Sequence, residues 1–416
     1  MTEYKLKCLQ TEELLDDNYL LHHTDGALLQ AAYPSKMILQ NQNQGLWKYL
    51  SWLPVSHTNE HVAGTVTYKS TELGEALGMS DLWITFHGYW PERNGICPTG
   101  SFKDMEAVPT LQRLKDHGCS GMICASAGNT ARAFSYFCGA DNFPLIVVVS
   151  SSHQQRLWLP KGHPRDSLKI VVIEDGDYYD SKVIAKELGK KLTGWQLEGS
   201  VHNVARRDGI GSLIVDAAFT INRLPQHYFQ GIGGGPGPIG VHEMAVRLIE
   251  SGQFEGPPPR QHVSQNIEHC PIHNAWQSGR NHLTKNDFPS EEVEVFSDYL
   301  LNKSPAYGLK GGVYDILETS QGQTYVVSRE EAIESKKLFE TLEGIDILSP
   351  GAVALASLRQ ALESSEVGKD ECVVLNISGG GINRLKDEIE TEIITPWLTT
   401  DKESAVQNIL LKLNGK

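Results

Sequence analysis

Three short turns in this sequence carry groups that could do chemistry. The first, Pro98-Thr-Gly-Ser-Phe-Lys103-Asp104, sets a lysine at the opening turn of a predicted helix. A helix N-terminus already presents positive charge, so an ammonium is disfavoured there. A neutral amine is favoured instead, and a neutral amine is both a nucleophile and a base. The second turn, CASAGNT at 124–130, joins a predicted strand to a predicted helix. Its N–H groups and helix N-terminus suit a carboxylate. The third, GIGGGPGPIG at 231–240, follows the strand pattern HYFQGI. Only glycine lets the backbone approach an anion that closely, which suits a phosphate.

Each turn alone has a plainer explanation. A lone lysine is usually solvated. SAGN could be a helix cap. Residues 235–240 formally match the G-x-G-x-x-G dinucleotide fingerprint, with Glu250 a poor match for the later acid. That match is weak alone, and a nicotinamide-dependent dehydrogenase leaves Lys103 and SAGN unexplained. A lysine turn, a carboxylate turn and a phosphate turn in this order describe a site for pyridoxal phosphate and an amino acid.

The elements that must position these turns alternate. Candidate strands lie at 82–86, 121–124, 145–149, 169–174, 228–232, 261–265 and 372–377. Periodic segments between them, near 105–116, 129–138, 180–190, 211–222, 240–250, 330–341 and 353–363, read as helices. Continuous runs such as LIVVVS suit strands buried on both faces. Strand–helix alternation implies mostly parallel, doubly wound sheets, with ligands at the carboxyl ends of the strands. Residues 252–312 are rich in Pro, His and Asn and read as an irregular insertion with a short helix. Residues 1–32 have the hairpin rhythm of a zinc ribbon, but only Cys8 sits where a ligand would be. Adjacent His22 and His23 would diverge on a strand, so a metal-free hairpin is expected.

The chain of 416 residues is 40% hydrophobic and 21% charged, ordinary for a soluble globular protein. A net charge of −14 argues against nucleic acid or an anionic membrane as the main partner. No run approaches membrane-spanning length, and MTEYKLKCLQTEELLDD lacks a signal pattern. Seven cysteines, an odd number, do not make a disulfide framework. A cytoplasmic protein with reduced thiols is expected.

PTGSFKD, SAGNTARAF and the glycine-rich turn resemble the fold-type II pyridoxal-phosphate enzymes, specifically threonine synthase and its relatives. TYKSTELGEALGMSDLWITF, NVARRDGIGS, NIEHCPIHNAW and LNISGGGINRLK each resemble a segment of that family, so the similarity covers most of the chain. The resemblance implies a tryptophan synthase β-like α/β fold: two doubly wound open-sheet domains with the cofactor in the cleft. Residues 33–104 and 206–416 would form the larger domain, and 105–205 a smaller inserted one that closes over the substrate. Lys103 would form the Schiff base and Asn129 would bond the cofactor's ring hydroxyl. Gly233, Gly234, Gly235 and Gly237 would cradle its phosphate, and Ser378 would face the ring nitrogen. Ser126 and Thr130 would hold the substrate carboxylate, with Arg206 a clamp on a substrate phosphate. His153, Gln154 and Arg156 are further candidates for anion donors. His269, Cys270 and His273 would belong to a substrate-side loop, not a metal site.

Some positions depart from the family pattern. Met105 replaces the arginine of SFKDR, and the glutamate of EPxGA becomes Leu348 or Pro350. The ribbon cysteines are missing, and GGGPGPIG replaces the usual Gly-Asn-x-Gly-Asn. In overall pattern and length the chain resembles the archaeal cysteate synthase branch. That resemblance implies small-molecule substrates: O-phospho-L-serine plus sulfite giving L-cysteate and phosphate, on the route to coenzyme M. The alternatives are threonine synthase chemistry on O-phosphohomoserine and water, or a phosphoserine-dependent cysteine synthase. A homo-oligomer is expected by analogy with the family.

Overall fold

In the computed structural model, residues 4–126 and 128–415 are described. The apolar runs form the centres of two sheets. Leu145–Ser150 and Leu168–Ile173 pair in parallel within a five-stranded sheet. Its order is Trp195–Leu197, Gly121–Ala125, Leu145–Ser150, Leu168–Ile173, Leu398–Thr400, parallel throughout. Side chains alternate across a strand. Val147, Val149, Ile170 and Val172 therefore enter one hydrophobic core, and Ile146, Val148, Val171 and Ile173 another. Both faces are covered, which is why residues 145–149 and 170–173 are apolar at every position.

The second sheet has six strands, in the order Gln323–Val327, Arg260–Asn266, His227–Gly231, Val373–Ile377, Leu82–Phe86, Val66–Lys69. Only the edge strand Val66–Lys69 runs antiparallel to its neighbour. This is the mixed α/β, fold-type II architecture expected. All seven expected strands are present, as are the seven expected helices. The irregular insertion holds the helix Pro271–Gln277.

One boundary differs from the sequence reading. Leu398–Thr400 pairs with Leu168–Ile173, and the helix Ala405–Leu413 packs into the same core. The end of the described chain thus sits with the five-stranded sheet, not with the larger unit. Its short strand carries too few apolar residues to announce a partner.

The N-terminal residues form a three-stranded antiparallel sheet with Lys5–Cys8 in the middle. Within it His23 Nδ1 lies 3.4 Å from Cys8 Sγ and 2.9 Å from Asp25. His22 turns away and packs on His202. Among the described residues, Cys8, His23 and Asp25 are the one group of metal-ligand side chains that converges.

Candidate active site

The three turns meet in one cavity of about 310 Å³ at the carboxyl ends of strands from both sheets, at the lower end of small-ligand sites. Lys103, Ser126, Asn129, Thr130, Arg206, Gly233, Gly234, Gly235, Gly237 and Ser378 all line it. So do His153 and Arg156, and Gln154 is not on the wall.

Lys103 is the first residue of the helix Lys103–Asp116. The start of that helix is fixed across the sheet: the Phe102 N–H donates to the Ser378 carbonyl at 3.0 Å, and Gly380 N–H donates to Gly100. The lysine and the serine therefore share one backbone junction. Asp104 caps the turn from inside, accepting the Thr99 N–H at 2.9 Å and the Thr99 hydroxyl at 2.5 Å. Lys103 Nζ donates to Glu106 at 2.5 Å. Burial pushes the Lys103 ammonium below the ordinary lysine value, while the Glu106 carboxylate acts the other way.

The carboxylate turn ends where the helix Asn129–Ala140 begins. Asn129 Oδ1 accepts from Arg132 at 2.7 Å. That contact turns the amide NH₂ end away from the guanidinium. The glycine turn runs into the helix Pro236–Glu250, capped by Gly235 at φ +105°, a conformation reserved for glycine. The first N–H groups of this helix have no carbonyl within the helix to bond. A Cβ on Gly237 would strike the Gln230 side chain, and one on Gly234 would strike Asn302. A donor-rich helix start, a lysine, an amide and a hydroxyl converge on one cavity. This donor set fits pyridoxal phosphate.

The family model described as pyridoxal-phosphate dependent enzyme matches residues 59–379, which include both the lysine and the glycine turns. The chain belongs to the pyridoxal-phosphate dependent enzymes. Relatives within this family align end to end. A cysteate synthase from Methanocella paludicola is 40% identical, covering 98% of this chain and 97% of that protein. One from Methanosarcina barkeri is 42% identical over 96% and 97%. Solved structures superpose as well. Serine racemase from Dictyostelium discoideum gives a TM-score of 0.57 at 18% identity, covering 76% of this chain and 92% of that one. A threonine deaminase from Solanum lycopersicum gives 0.59 at 17%, covering 86% and 98%. The protein is an enzyme that uses pyridoxal phosphate.

Among the groups on the cavity wall, the cations differ most in how they are held. Arg206 is not free to clamp a phosphate as expected. Its Nη2 is paired with Glu106 and its Nη1 with Glu198, and its side chain is 4% exposed. Only Nε is left without a partner. Arg156 pairs with Asp298, and Lys303 with Asp177 at 2.9 Å. Lys182 is different. It lines the cavity, its Nζ lies 5.6 Å from the Tyr178 ring, and no carboxylate is within ion-pair distance among the described residues.

Sequence reasoning missed Glu106, Glu198 and Lys182. Glu106 had a signal: a second charge three positions after Lys103 on the same helix face. One other expectation is corrected, and one departure from the family pattern falls outside the cavity. Met105 does not reach the cavity; it is buried, its sulfur 3.5 Å from the Thr65 hydroxyl. His269, Cys270 and His273 do not line it either. His273 faces Thr324 at 2.9 Å, and His269 packs behind the wall against the Asn302 carbonyl at 3.2 Å.

Proposed function

We propose that this enzyme replaces the phosphate of O-phospho-L-serine with sulfite, giving L-cysteate and phosphate, a step toward coenzyme M. The observation that carries the reading is the meeting of lysine, carboxylate and phosphate turns in one cavity. End-to-end likeness to cysteate synthases supports the choice of substrates.

In this reading Gly233, Gly234, Gly235 and Gly237 hold the cofactor phosphate, Asn129 its ring hydroxyl and Ser378 its ring nitrogen. Bound pyridoxal phosphate supplies an electron sink that acidifies the Cα–H bond and lets the β-substituent depart. Lys103 holds the cofactor, then takes the proton from Cα and returns it. Its buried setting lowers its pKa and favours the neutral amine that both tasks need. Ser126 and Thr130, at the start of the helix Asn129–Ala140, bind the substrate carboxylate. Lys182 faces the substrate phosphate, and Arg206, held by Glu106 and Glu198, lines the cavity beside it. Ser378 accepts or donates as a neutral hydroxyl, which leaves the ring nitrogen largely unprotonated and moderates the sink. That suits elimination and replacement at Cβ.

The unit around the five-stranded sheet closes over the substrate, and the enzyme works as a homo-oligomer in the cytoplasm; sedimentation reads the former. Among the described residues no helix is long and apolar enough to cross a membrane. The deciding experiment pairs each amino acid with each nucleophile. Purified enzyme is given O-phosphoserine or O-phosphohomoserine, with sulfite, sulfide or water alone, and phosphate and amino-acid products are measured. Cysteate from phosphoserine and sulfite is expected. Threonine from phosphohomoserine and water, or cysteine from sulfide alone, overturns the proposal.

A further inference from the structure

The roles above leave unused a carboxylate in direct contact with Lys103. Glu106 is shielded completely from solvent and does not line the cavity. One of its oxygens accepts from Lys103 Nζ at 2.5 Å, and the other accepts from Arg206 Nη2. Arg206 Nη1 continues to Glu198, back at the cavity wall. The row Lys103–Glu106–Arg206–Glu198 alternates in charge and draws on three separate stretches of chain. Lys103 and Glu106 come from one helix and Arg206 from the helix Val204–Ile221. Glu198 precedes the turn Ser200–His202. Cys124 on the strand Gly121–Ala125 also faces this row, and Tyr178 faces Glu198 and Arg206.

A buried carboxylate without a partner is costly, so each Glu106 oxygen being matched to one cation is what lets the group sit there. The arrangement does more than balance charge. It sets a proton acceptor against the one nitrogen that must be charged at one stage and neutral at another. Glu198 shares the Arg206 guanidinium with Glu106.

We infer that Glu106 is the positioning residue for Lys103 and shares its proton. Resting on the assignment of Lys103 as the cofactor-binding lysine, this gives Glu106 two tasks. While the Lys103 nitrogen is bound to the cofactor, the carboxylate holds the proton on that nitrogen. When Lys103 is released as a base, Glu106 takes one ammonium proton. One N–H bond breaks, its electron pair stays on nitrogen, and one O–H bond forms on Glu106. No further reactant is required, and the pair is uncharged overall before and after. Glu106 never touches the substrate; it acts through Lys103.

The test is a pH titration of the holoenzyme followed by the visible absorbance of the bound cofactor. An anion in contact with the nitrogen favours its protonated form, so Glu106→Gln is expected to lower the pH midpoint of that absorbance by about one unit or more. The Glu106→Gln variant is compared with the parent by thermal melting to confirm that it folds. Should it fail to fold, Glu106→Asp keeps a charge for Arg206 while drawing it back from Nζ, and is expected to lower the same midpoint by less. A midpoint unchanged in a folded variant overturns the proposal. Lys103→Ala separates the two readings. If the visible band survives in it, the assignment of Lys103 fails. If the band is lost there while the Glu106→Gln midpoint matches the parent, the Glu106 proposal alone fails.

Discussion

A methyl group built on Gly209 would lie 2.1 Å from the carbonyl oxygen of Met105. Gly209 belongs to the helix Val204–Ile221 and Met105 to the helix that begins at Lys103. Two residues on, a Cβ at Gly211 would lie 2.4 Å from the Gly240 carbonyl, on the helix that leaves the glycine turn. One helix therefore sets the spacing between the lysine and the glycine turn by backbone contact. Gly209→Ala must push the lysine helix outward. Overpacking of this kind costs about 1–3 kcal/mol. A lower urea midpoint together with a lower kcat is expected, with substrate KM less affected.

Ser378 hangs from the same backbone junction as Lys103, so its side chain can be changed without moving the lysine. Ser378→Ala is expected to keep the cofactor bound and to shift its visible absorbance. Turnover should fall about ten- to a hundredfold, the worth of one buried hydrogen bond that matters in the transition state. Spectra and kcat on the same preparation check this. Unchanged turnover would remove Ser378 from the site.

Lys182 is half-buried, lines the cavity and, among the described residues, has no carboxylate within ion-pair distance. A charge-assisted bond to a substrate phosphate is worth roughly 1.5–3 kcal/mol. Lys182→Ala should therefore raise KM for the phosphorylated amino acid about ten- to a hundredfold. The melting temperature should hardly move, because no partner is left uncompensated. A variant with parental KM would assign the phosphate to other groups.

His87 sits under the site, fully buried, with Nε2 2.9 Å from the Thr65 hydroxyl. Burial pushes it down to about 4, from roughly 6.5 for an exposed histidine. It stays neutral in the fold while the unfolded chain takes up a proton as pH falls through 6.5. The unfolded state then binds more protons, so the contribution of His87 to stability is lost on acidification. Relative to His87→Gln, the parent should lose about 1.4 kcal/mol per pH unit between about pH 6.5 and 4. Urea unfolding of both proteins at several pH values isolates this one group from the buried carboxyls that titrate in the same range.

Much of this was legible in the residues. The runs 145–149 and 170–173 declare themselves because both faces of each strand are covered, so no polar position interrupts them. Lys103, SAGN and the glycine turn could be read because each sits where a short turn runs into the start of a helix. Edge strands were harder. Val66–Lys69 and Trp195–Leu197 are short and half-exposed, so packing leaves little trace in their composition. The charge network was hidden for another reason. Arg206 and Glu106 are 100 residues apart, and nothing local in either segment names the other. Arg206 read as a free clamp for that reason, whereas the fold supplies it with two carboxylates.

The strand Leu398–Thr400 completes a sheet whose other members were made long before it. Its segment is stitched down where Lys402 N–H meets Asp175, 227 residues earlier in the chain. During synthesis, then, the five-stranded unit must wait with one edge open while the whole six-stranded sheet emerges. An exposed parallel edge is a site for mispairing. The sheet that carries the carboxylate turn is thus complete only once a segment made after all six strands of the other sheet has docked on its edge.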